Sequence, residues 1–171
     1  DNSENFIQGG FTCRDIIPYI HDPKKETILF IGRTKFIYWE EFNEYNATNS
    51  TFIKELRMVA DIIDLMPSTL KANLLFRPRQ EKLFWDEEHL LELDKHNVKI
   101  DGGNFAESIS QSRIVIINHM STGFAEILLM KVPFILVYDV SFIPLSDELK
   151  QIFDDLIGCG VVHVSAQSAV S

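Results

Sequence analysis

Residues 113–137, RIVIINHMSTGFAEILLMKVPFILV, decide the fold. An apolar, β-rich run leaves through Ser121, Thr122 and Gly123, continues at helical spacing, and ends in a second apolar run behind Pro133. Two apolar strands separated by one helix require a crossover, and crossovers join parallel strands. The segment therefore reads as one β-α-β unit.

The same alternation extends in both directions. Strands are predicted over 27–31, 73–78, 98–101, 113–118, 133–139 and 161–164, and helices over 50–66, 86–96, 105–112, 122–131 and 146–158. In the helix over 50–66, Phe52, Ile53, Leu56, Val59, Ile62 and Ile63 recur at helical spacing, and Pro67 stops it. The helix over 86–96 has an acidic first turn and a basic end, which suits the helix dipole. Six strands alternating with five helices predict an α/β fold: a three-layer, Rossmann-like, doubly wound parallel sheet with helices on both faces. Residues 1–26 read as an irregular lead-in and 27–171 as the folded domain, with the look of a part excised from a longer protein. No solenoid-period repeat or low-complexity tract interrupts it.

Composition narrows the functional classes. Hydrophobic residues make up 46% and charged residues 24% of the 171, the balance of a globular domain. A net charge of −9 argues against a nucleic-acid partner and against adsorption to anionic membranes, although local amides and arginines can still hold a small anion. Cys13 and Cys159 fit neither a metal motif nor a disulfide framework, and read as two thiols in a reducing cytoplasm. No apolar run approaches the ~20 residues that span a bilayer. Walker A, dinucleotide-binding glycine, nucleophile-elbow and HExxH patterns are all missing, which disfavours P-loop, nicotinamide, hydrolase and metalloprotease chemistry.

Ligands of doubly wound sheets bind outside the carboxyl ends of the strands. Those ends carry GRTKF, RPRQE, DGGNF, NHMSTG and YDVSF, a concentration of polar, glycine-rich and cationic residues. A helix beginning at Ser121 to Gly123 offers unpaired amides and a partial positive charge to phosphate oxygens, with Ser121 and Thr122 adding hydroxyls and Gly123 permitting close approach. Glu126, one turn in, is placed either to grip a ribose diol or simply to complement the dipole. Arg77 and Arg79 flank Pro78 and suit bidentate phosphate contact, with solvated loop arginines as the plainer reading; Arg33 and Lys35 are weaker candidates. His119 reads as a base, a phosphate donor or a structural histidine.

LLFRPRQ and VKIDGGNFAESISQSRIVIINHMSTGFAEILLMKVPFILV, within residues 27–165, resemble the C-terminal, nucleotide-binding half of GT-B glycosyltransferases, particularly those of bacterial surface-polysaccharide and teichoic-acid-type synthesis. Glu126 and Pro133, seven residues apart, fit the family spacing; Arg79 stands where a histidine is usual. The resemblance implies that Ser121, Thr122 and Gly123 face the diphosphate of a nucleotide-activated sugar, Glu126 its ribose or sugar, and Arg77 and Arg79 its phosphates. It implies no tightly bound cofactor or metal, an acceptor-binding N-terminal half as partner, and a cytoplasmic location with attachment at the inner membrane face through that half. The fragment alone should bind donor weakly and turn over nothing, so no catalytic residue is assigned. Two other readings stand beside this one: a nucleotide-polyol phosphotransferase or nucleotide-sugar epimerase domain, and a noncatalytic Rossmann-like interaction domain.

Overall fold

A computed structural model describes residues 17–32, 49–78, 87–139 and 146–171. Six strands form one sheet: β1 (Ile28–Ile31), β2 (Leu74–Arg77), β3 (Lys99–Ile100), β4 (Ile114–Ile117), β5 (Phe134–Val137) and β6 (Val162–His163). All neighbours pair in parallel, in the order β3-β2-β1-β4-β5-β6. The order reverses between β1 and β4, so the two strands diverge there in their connections and leave a crevice at their carboxyl ends. The predicted doubly wound α/β sheet is the observed one.

The strands' alternation distributes their side chains between two cores. Ile28 and Phe30 of β1 point to one face, with Leu74 and Phe76 of β2 and Ile116 of β4; helix α1 (Asn49–Leu65) covers them with Val59, Ile62 and Ile63. Phe30 and Phe76 stack there with ring centroids 5.5 Å apart. Leu29 and Ile31 point the other way, with Val115, Ile117 and Leu136, where the sheet meets Ile109, Ile127, Met130 and Phe153. Because strands buried on both faces need apolar residues at every position, the unbroken runs ILFI and IVII are what a central parallel strand requires.

Short helices fill the remaining connections. They are α2 (Ser68–Lys71), α3 (Glu87–Leu90), α4 (Phe105–Gln111), α5 (Thr122–Met130), α6 (Asp147–Gly158) and α7 (Ala166–Val170). The single helix predicted over 86–96 is instead α3 followed by a 3-10 turn, Leu93–His96, with Glu92 between them in the left-handed region at φ 50°. Leu91 and Leu93 are both buried in the α1-side core. Residues two apart do not share a helix face, so one straight helix cannot bury both, and the chain breaks between them. Helices α2 and α7 lie beyond the five predicted. Residues 17–27 contain no helix or strand, yet Tyr19 donates its hydroxyl to the Arg113 carbonyl at 3.4 Å and Lys25 donates to the Ser110 carbonyl at 2.6 Å. No helix among the described residues is long and apolar enough to cross a membrane.

Candidate functional site

Three of the predicted strand-end motifs converge at the carboxyl edge. In the β2–β3 register Phe76 faces Ile100, which brings Arg77 beside Asp101, the first residue past β3. The Asp101 amide donates to the Phe76 carbonyl at 2.8 Å and fixes that register. Nη1 of Arg77 then donates to Oδ2 of Asp101 and, at 3.4 Å, to the Ser108 hydroxyl; Nη2 donates to the Gly103 carbonyl at 3.0 Å. The guanidinium also lies 5.2 Å from the centre of the Phe105 ring, within cation–π range.

Asp101 is 8% exposed, so its charge requires partners. Burial pushes its carboxyl up, but the Gly103 amide at 3.0 Å, the Ser108 hydroxyl and Arg77 outweigh it and hold the group below its usual range. The turn it organises, Asp101 to Asn104, leads into α4. Asn104 caps that helix, its side-chain oxygen accepting from the Glu107 amide at 3.2 Å. A methyl on Gly103 would sit 3.2 Å from Asp101 Oδ1 and 3.3 Å from the Ser108 hydroxyl, so the turn is closed to a larger residue unless one of these moves.

Phe105 connects this clamp to the start of α5. A Cβ at Gly123 would meet the tip of the Phe105 ring at 3.0 Å, so glycine allows the two helices to touch. Ser121, Thr122 and Gly123 follow β4 directly, next to the topological switch point. Ser121 is extended, φ −127° and ψ −174°, and its side chain makes no capping bond. By contrast, Ser146 and Ser165 accept from the amides of Leu149 and Ser168 at 3.4 and 3.2 Å. Ser121 and Thr122 are exposed, leaving the first-turn amides of a nine-residue helix directed outward.

In the loop before α5 Asn118 is buried, and Nδ1 of His119 lies 3.0 Å from the Asn118 side-chain oxygen. Glu126 is half-buried, and its desolvation pushes its carboxyl above the usual range. Among the described residues no hydrogen bond or ion pair offsets that cost. A carboxylate held at this expense one turn inside a helix is a candidate ligand group.

The structure thus gathers Ser121, Thr122, Gly123 and Glu126 at one helix start, with His119 in the preceding loop. Arg77 stands behind them, joined through Phe105. Arg33, Lys35 and Arg79 lie outside the described residues. Sequence reading did not single out Asp101, Gly103, Phe105, Ser108 or Asn118. The available signal was a cation ending one strand and an acid ending another, and it acquires meaning only once the two strands are known to be neighbours. Among the described residues no group of three or more histidine, cysteine or acidic side chains forms a metal site.

A parallel 3-2-1-4-5-6 sheet flanked by helices, with a glycine-bearing helix start at its switch point, defines a Rossmann-like three-layer fold. The chain belongs to the LIC12162 family transferases, whose family model matches residues 2–171. It is accordingly assigned to a transferase family. No curated protein and no solved structure gave a significant match.

Proposed function

We propose that this transferase domain binds the nucleoside diphosphate of a nucleotide-activated sugar at the start of α5, as the donor half of a GT-B-type glycosyltransferase in surface-carbohydrate assembly. The observation that carries the reading is the β4–α5 junction: first-turn amides that Ser121 does not cap, small residues at 121–123, and a half-buried Glu126 one turn on with no hydrogen-bond or ion-pair partner among the described residues.

In this reading the amides of α5, with the Ser121 and Thr122 hydroxyls, hold the diphosphate oxygens. As the glycosidic bond to the leaving group breaks, negative charge builds on those oxygens, and fixed dipoles stabilise it without reorganising. Glu126 accepts hydroxyl protons from the ribose or sugar; His119 borders the same loop and is placed to donate to a phosphate. Arg77 serves as the positioning residue that seats Phe105 beneath Gly123, because its donors are engaged by Asp101, Ser108 and Gly103. Arg33 and Arg79 are the cations proposed to reach the phosphates directly.

The test is a thermal-shift screen of the chain with UDP, CDP, GDP and dTDP at millimolar concentration, with Ser121→Val/Thr122→Val and Glu126→Gln variants alongside. A ligand that binds only the folded state raises its apparent stability. Stabilisation by one diphosphate that both variants abolish supports the reading. Stabilisation that both variants retain places the ligand elsewhere and rejects it.

A further inference from the structure

A second cleft opens on the opposite face of the sheet, at the same carboxyl edge. Its volume is about 420 Å³, and one wall is the face of α1 bearing Lys54, Arg57 and Asp61. The other wall is the turn from β6 into α7, including Ser165 and Gln167, with Asp139 just beyond the end of β5. This volume lies within the range of small-ligand pockets.

The charges on the α1 wall are arranged in an informative way. Lys54 and Arg57 are three residues apart and therefore adjacent on the helix surface, and Asp61 follows four residues later on the same face. Arg57 and Asp61 have the spacing of a helical ion pair, yet no ion pair among the described residues engages Lys54, Arg57 or Asp61. Lys54 and Arg57 face the cleft as adjacent cations and Asp61 and Asp139 line it as well, so the cleft offers a cationic pair to an anion and carboxylates to hydroxyl donors.

We infer that this cleft binds a phosphorylated polyhydroxyl compound, with the phosphate on Lys54 and Arg57 and the hydroxyls on Asp61 and Gln167. The guanidinium offers a planar pair of donors to phosphate oxygens and the ammonium a point charge beside it. Asp61 repels the phosphate and accepts from hydroxyls, which fixes the direction of the ligand across the cleft. The site is separate from the β4–α5 junction, whose residues pack on the other face, and it goes beyond the donor reading above.

Inorganic phosphate and glucose 1-phosphate serve as probes, titrated into the isotopically labelled chain at constant ionic strength and followed by backbone amide and arginine Nε–H resonances. The expected result is saturable shifts at residues 54–61 and 164–167, with glucose 1-phosphate binding at least tenfold more tightly than phosphate. In Lys54→Met/Arg57→Met the affinity should fall at least tenfold, with the circular dichroism spectrum unchanged. Asp61→Asn should weaken glucose 1-phosphate but not phosphate. Shifts that fail to saturate, that persist in the double variant, or that appear only at residues 119–126 would overturn the inference. The last of these outcomes leaves the donor site intact, so the two sites stand or fall separately.

Discussion

Arg77 and Asp101, 24 residues apart in sequence, meet as an ion pair at the carboxyl ends of adjacent strands, with side-chain exposures of 20% and 8%. The pair closes a turn, orients α4 and places Phe105 against Gly123, so it joins the sheet to the helix start proposed to hold the diphosphate. Its contribution to stability should appear as coupling. Arg77→Met and Asp101→Asn are each expected to cost about 2 kcal/mol in urea unfolding, below the range for fully buried pairs because Arg77 is partly solvated. The double variant should cost about 1 kcal/mol less than the sum. Strict additivity would mean that the contact contributes nothing.

The depressed Asp101 carboxyl gives that contribution a pH signature. A group whose folded pKa lies below its unfolded value stabilises the fold above the unfolded value and loses that effect as pH falls through the folded one. The Asp101 contribution should therefore be constant from pH 6 to 8 and decline below about pH 4, the ordinary aspartate range. Asp101→Asn should flatten that decline relative to the parent. An unchanged acid limb would assign the loss to other carboxylates.

Gly123→Ala tests the contact between α4 and α5. The added methyl sits 3.0 Å from the Phe105 ring, and the expected cost is about 1–2 kcal/mol from overpacking. Phe105→Leu/Gly123→Ala should recover part of it, since the shorter side chain vacates the ring tip. If the alanine variant unfolds at the parent's denaturant concentration, the ring moves freely and does not fix the helix start.

Glu126 should behave in the opposite way to Asp101. Its pKa is raised by burial, so the folded state retains the proton longer than the unfolded state does, and stability falls as pH rises past the ordinary glutamate range. At pH 7 Glu126→Gln should then match or slightly exceed the parent's Tm, while the nucleotide-dependent rise is lost. A variant that is destabilised without ligand would mark Glu126 as a structural residue.

Much of the architecture was legible because parallel strands buried on both faces must be apolar throughout, and runs such as ILFI and IVII satisfy that requirement locally. The position of the β4–α5 junction was equally legible, since the apolar run ends at Ile117 and the small residues 121–123 open a helical pattern. Leu91 and Leu93 mark where periodicity failed: both apolar positions fit a helical window, but only tertiary burial shows that both must face one core. The role of Arg77 was hidden for a related reason. From sequence it is a cation at a strand end, directed toward any phosphate; its partner becomes visible only when the β2–β3 register sets Asp101 beside it. Phe105 likewise acquires its role from neighbours distant in the chain, Arg77 and Gly123.

The most direct test of the account is an amide chemical-shift map of the labelled chain titrated separately with UDP, CDP, GDP and dTDP. The account predicts saturable perturbation by one of them, largest at residues 119–126 and weaker at Phe105, with loss of saturation in Glu126→Gln. Perturbation centred away from the β4–α5 junction, or none with any of the four, would contradict the claim that this transferase domain holds a nucleoside diphosphate there.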